Sequence, residues 1–145
     1  MYYIMNDLKI FIVEDDIVYL NLFKKYLFSI GFDNVIAFDN GLDCLNSIES
    51  KPDVVFLDYY MDIINGGEVL NKIKRFDPNI FVVMLSGQND IKTAVNFLKS
   101  GGFDYLVKGD EDMAKVESVL RSVLEIKSQM DNSMPSLIKR ILKKK

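Results

Sequence analysis

Val54-Val55-Phe56-Leu57-Asp58 is an unbroken apolar run that ends on a carboxylate, and Lys9-Ile10-Phe11-Ile12-Val13 leads the same way into Glu14-Asp15-Asp16. Unbroken β-branched and aromatic runs, as opposed to alternating ones, mark strands covered on both faces of a parallel sheet. Working outward from these two, strand candidates fall at 9–13, 35–38, 53–57, 80–85 and 103–107. Helical spacing fills the gaps. Val18, Leu22, Phe23, Tyr26, Leu27 and Ile30 share one helix with Gly31 as its stop, and Leu42, Leu45 and Ile48 mark a short second one, over before Pro52. Val69, Leu70 and Ile73 mark a third, closed by Asp77-Pro78. Asp90 caps a fourth through Ile91, Ala94, Val95 and Leu98, which Gly101-Gly102 ends. Met113, Val116, Val119, Leu120, Val123, Leu124 and Ile126 form the long fifth. Five such strand–helix units predict an α/β fold, a doubly wound five-stranded parallel sheet with helices on both faces.

In the flavodoxin-like order 2-1-3-4-5, the strand order reverses between strands 1 and 3, and ligands of open α/β sheets bind outside the carboxyl ends of the strands at that point. Asp15 and Asp58 stand at those ends, and strands 4 and 5 deliver Ser86 and Lys108 beside them. Crowded carboxylates repel one another unless a cation lies among them. A hard cation such as Mg²⁺ takes oxygen ligands of this kind.

The rest of the composition narrows the chemistry. The 145 residues, 49% apolar and 27% charged, fit one globular domain. The longest apolar run, Ile80 to Leu85, is far short of the roughly 20 residues of a membrane span, and the first residues do not read as a signal peptide. The lone Cys44 has no internal partner, so a cytoplasmic home is expected. Histidine is absent, which excludes His-ligated metals, His general bases and Ser-His-Asp catalysis. The net charge of −3 is unevenly spread: Lys139, Arg140, Lys143, Lys144 and Lys145 leave residues 1–138 with 13 basic against 21 acidic side chains, a net of −8. An acidic body is a poor match for nucleic acid.

Ile12-Val13-Glu14-Asp15-Asp16, Leu57-Asp58-Tyr59-Tyr60-Met61, Asn65-Gly66-Gly67, Leu85-Ser86-Gly87 and Tyr105-Leu106-Val107-Lys108 occur in that order on the expected strands. Over about residues 8 to 127 the chain resembles the receiver domain of two-component response regulators, with a weaker likeness to those of enhancer-binding transcription regulators. The resemblance implies that Asp58 is the phosphoacceptor. It further implies that Mg²⁺ is held by Glu14, Asp15, Asp58 and the backbone carbonyl of Tyr60, that Ser86 and Lys108 meet the phosphoryl oxygens, and that Tyr105 is the aromatic switch. The implied partners are a sensor histidine kinase or phosphotransfer protein and, through the helix 4–strand 5–helix 5 face, an output partner or a second copy. The only catalysis implied is self-catalysed phosphoryl transfer and autodephosphorylation.

Simpler roles compete for several residues. Asp16 suits an N-cap better than a metal ligand, Gly66-Gly67 suits a tight loop, and Cys44 suits a small, partly buried position with no redox task. Three positions depart from the family pattern: Gly109 follows Lys108 where proline is usual, Met61-Asp62 replaces Met-Pro, and Ser86 replaces threonine. Ser128 to Pro135 reads as a linker, and Ser136 to Lys145 as a basic amphipathic tail, so the expected division is 1–127 and 128–145. Two readings of another class remain: a degenerate receiver used only as an interaction module, and an aspartyl-nucleophile phosphatase. The latter wants a second aspartate two residues beyond the nucleophile, where this chain has Tyr60. A flavin carrier of the same fold would find its phosphate repelled by Glu14-Asp15-Asp16.

Overall fold

The computed structural model describes residues 7–87, 90–109, 112–133 and 135–143. Its strands are β1 (Ile10–Val13), β2 (Val35–Phe38), β3 (Val54–Asp58), β4 (Phe81–Ser86) and β5 (Asp104–Val107). Its helices are α1 (Ile17–Ser29), α2 (Gly41–Asn46), α3 (Gly66–Phe76), α4 (Ile91–Lys99), α5 (Asp112–Ser133) and α6 (Ser136–Lys143), with a 3-10 turn at Ile48–Ser50. All strand pairings are parallel and the order is β2-β1-β3-β4-β5. The doubly wound sheet expected from the sequence is therefore the observed one.

The unbroken apolar runs follow from this layering. Side chains alternate across a strand, so each run feeds two cores. Ile10, Ile12, Val54, Phe56, Val83 and Leu85 face Leu20, Phe23 and Leu27 of α1 and Val116, Leu120 and Val123 of α5. Phe11, Val13, Val55, Leu57, Val82 and Met84 face the other way, against Cys44, Val69, Leu70, Ile73 and Phe97. Cys44 is fully buried, deeper than expected, and burial pushes its thiol up to about 12, which leaves it inert as a nucleophile.

Local chemistry fixes the ends of the elements. Asp16 caps α1 by accepting from the N–H groups of Val18 and Tyr19 at 3.0 and 3.2 Å, as the sequence predicts. Asn40, Asn65 and Asp90 cap α2, α3 and α4 in the same manner. Gly66 packs so tightly under the acceptor loop that a Cβ there would lie 2.7 Å from the Tyr59 Cα, which supports the tight-loop reading of that glycine. In the same loop Ile63 has a φ of 67° and is almost wholly exposed, an unusual state for a β-branched residue.

Helix α5 departs from expectation. It continues to Ser133, through the polar stretch read as linker, because no glycine or proline interrupts it before Pro135. Lys127, just before this extension, reaches Asp53 at 2.7 Å. Leu137, Ile138, Ile141 and Leu142 of α6 are all exposed. Among the described residues, no helix is long and apolar enough to cross a membrane.

Candidate functional site

Strand register builds the site. Val13 pairs with Leu57, so Glu14 and Asp58 leave adjacent strands at one level. Asp58 pairs with Leu85 and Ser86 with Val107, which brings the ends of β4 and β5 alongside. A hydrogen bond of 2.7 Å from the Lys108 N–H to the Ser86 carbonyl extends the ladder just past β5 and sets the root of the lysine.

Glu14, Asp58 and Ser86 are the buried polar residues among those described, while Asp15 is exposed at the rim. Carboxylate oxygens of Glu14, Asp15 and Asp58 all lie within 4.8 Å of one another. Lys108 reaches into this group. Its ammonium is bonded to Glu14 and stands 3.6 Å from Asp58. The same Nζ lies 4.7 Å from the centroid of the Tyr19 ring.

Burial pushes the Asp58 carboxyl up to about 8, the adjacent Glu14 adds to the rise, and Lys108 and the Tyr60 N–H oppose it. The Tyr60 N–H donates to Asp58 at 3.3 Å. The Tyr60 hydroxyl reaches Asp90, the α4 cap, at 3.4 Å. Asp16 is occupied by its capping bonds and stands outside the carboxylate cluster. Tyr105, on β5, is half-buried against the second core.

The donor set fits a hard divalent cation. It consists of carboxylates, with no thiolate or imidazole, and one of them (Glu14) is buried beyond the reach of bulk water. A depression of about 380 Å³ opens beside Asp15, lined by Ile17, Asn40, Met61 and Ile63 among others, so the Asp15 rim of the cluster is accessible there.

The sequence reading thus places Glu14, Asp15, Asp58, Ser86, Lys108 and Tyr60 at one sheet edge, as the structure has them, with Tyr105 on β5 nearby. It overlooks Tyr19. The signal available is its position four residues before Phe23 on the apolar face of α1, which puts its ring at the site end of that helix.

The site is thus an acidic triad with a lysine at the switch point of a doubly wound sheet. Residues 10–121 match the family described as response regulator receiver domain, and the chain belongs to that family. It is 35% identical over 116 residues to the transcriptional regulatory protein ZraR of Klebsiella oxytoca, covering 79% of this chain and 26% of that one. The chain thus spans about a quarter of the length of this relative and of LuxO of Vibrio campbellii, covered to 27%. A receiver domain from Clostridium thermocellum superposes with a TM-score of 0.78 over 85% of this chain and 98% of that one, at 23% identity. The CheX-CheY-BeF3-Mg²⁺ complex of Borrelia burgdorferi gives a TM-score of 0.75 at 26% identity, over 81% of this chain and 89% of that one.

Proposed function

We propose that this receiver accepts a phosphoryl group on Asp58 from a sensor histidine kinase or phosphotransfer protein, in a Mg²⁺-dependent reaction. The single observation that carries this reading is the buried Glu14–Asp58 pair, closed by Lys108 at one strand level. Folding alone gives no reason to bury two carboxylates side by side.

Glu14, Asp15, Asp58 and the Tyr60 carbonyl would hold the cation. Mg²⁺, when bound, would neutralise the acid cluster and the oxygens of an incoming phosphoryl group. An Asp58 oxygen attacks phosphorus in line. The bond from phosphorus to the donor nitrogen (or to oxygen in an acyl phosphate) breaks, and its electron pair leaves with the donor. The new acyl phosphate adds about −1.5 to −2 charges at this edge. Lys108, now drawn between Glu14 and Asp58, pairs with a phosphoryl oxygen, and the Ser86 hydroxyl donates to another.

The displaced Lys108 and Ser86 pull on the loops after β5 and β4. Tyr105 lies on β5, three residues before Lys108, and a shift in its population would alter the α4–β5–α5 face. Ile91, Val95, Leu98 and Val107 already expose apolar surface there, which supports that face as the docking site for an output partner or a second copy. Transcription is the output in keeping with relatives such as ZraR, and an acidic receiver body does not itself bind DNA. Gly109 in place of proline alters how the lysine is supported, not whether it is present.

Beryllofluoride mimics a tetrahedral acyl phosphate and tests the reading without a kinase. With Mg²⁺ and beryllofluoride together, the melting temperature is expected to rise by several degrees, and with either alone to rise far less. An equal response in Asp58→Asn, or no response in the wild type, contradicts the phosphoacceptor role and leaves an interaction-only receiver.

A further inference from the structure

We propose that Tyr19 is a positioning residue for Lys108, its ring face holding the lysine ammonium at the acceptor edge. The inference rests on the phosphoacceptor reading for its consequence, but on separate geometry for its cause.

The backbone of the lysine is anchored by its bond to Ser86, and its ammonium depends on side-chain contacts. A long, flexible stem carries its charge, and the following residue is Gly109, where an added Cβ would meet nothing within 4 Å. Gly109 therefore contributes no side chain to brace the lysine. In the resting protein three groups surround the ammonium: Glu14, which is bonded to it, Asp58 at 3.6 Å, and the Tyr19 ring, whose centroid is 4.7 Å away. The ion pair cannot serve throughout, because Lys108 has to give up Glu14 to meet a phosphoryl oxygen. The ring face can serve in both states, since a cation over a ring keeps its attraction through several directions of approach.

The ring is itself held. Tyr19 packs against Phe23 with tilted rings and centroids 6.0 Å apart, and Phe23 against Phe56 at 5.0 Å. Phe56 lies on β3, two residues before Asp58. An aromatic column thus runs from the strand that carries the acceptor, up α1, to the ring beside the lysine. Capping adds to its precision, because the Tyr19 N–H donates to Asp16 at the start of α1.

The test compares Tyr19→Leu with Tyr19→Phe. In the resting protein the Lys108 Hε resonances are expected to lie upfield of those of exposed lysines through the ring current. That displacement should vanish in Tyr19→Leu and persist in Tyr19→Phe. With Mg²⁺ and acetyl phosphate, phosphorylation of Asp58 should slow about three- to tenfold in Tyr19→Leu and recover in Tyr19→Phe. In a Lys108→Ala background, Tyr19→Leu should cause no further loss, since it acts through the lysine. An undisplaced Lys108 resonance in the wild type overturns the proposal, as does an additive loss in the double variant or a Tyr19→Leu rate equal to wild type. Should the wild type accept no phosphoryl group at all, the function above fails, and the resonance alone still decides whether the ring holds the lysine.

Discussion

Replacing Lys108 with alanine is expected to destabilise the metal-free protein by about 3 kcal/mol, because it leaves buried acids without their cation. Glu14 has no exposure and Asp58 only 4%, so bulk water cannot take over the role of the ammonium. The remaining acids would have to share a proton or open the edge of the sheet. A loss of this size lowers the melting temperature of a chain of this length by about 10 °C. Added Mg²⁺ should recover part of that loss in Lys108→Ala, since it supplies positive charge to the same oxygens. Thermal melts with and without Mg²⁺ check this, and a variant as stable as wild type without metal would show that the pair is not electrostatically strained.

Asp58→Asn should act in the opposite direction, stabilising the metal-free protein by about 1–3 kcal/mol at pH 8–9. Burial first, and Glu14 second, push the Asp58 carboxyl from 3.8 to about 8. Near neutral pH the folded state therefore holds a proton that the unfolded chain has already released. The contribution of this group to stability is fully present below about pH 4 and is lost as the pH rises toward about 8. Asparagine has no proton to lose and keeps the size of the side chain. The gap between variant and wild type should accordingly widen from pH 5 to pH 8 and shrink when Mg²⁺ is added. A gap that is constant with pH would assign the burial cost elsewhere. The two substitutions thus move stability in opposite directions from one cluster, which general damage to the fold would not do.

Much of this cluster is legible in the sequence because parallel-sheet geometry converts order along the chain into place. Apolar runs that stop at Glu14, Asp58, Ser86 and Lys108 mark strand ends, and the strand order then gathers those ends at one edge. What lies beyond strand ends is less legible. The partnership of Lys108 with Glu14, 94 residues away, depends on which way a flexible stem bends. Tyr19 escapes notice because its partner arrives from a loop on a different strand. The extension of α5 to Ser133 is missed because Ser128-Gln129-Met130-Asp131-Asn132-Ser133 is polar enough to read as linker, yet holds no residue that breaks a helix. The left-handed backbone of Ile63 runs against local preference, and only the closed loop around it imposes that conformation.

The central claim is that Asp58 becomes a covalent phosphoryl carrier when Mg²⁺ occupies the acid cluster. Intact-protein mass spectrometry after incubation with acetyl phosphate tests it most directly. The account predicts the added mass of one phosphoryl group in the wild type with Mg²⁺, its loss with a chelator, and its absence in Asp58→Asn. A phosphorylated Asp58→Asn protein, or a wild type unchanged in mass with Mg²⁺ present, would contradict it.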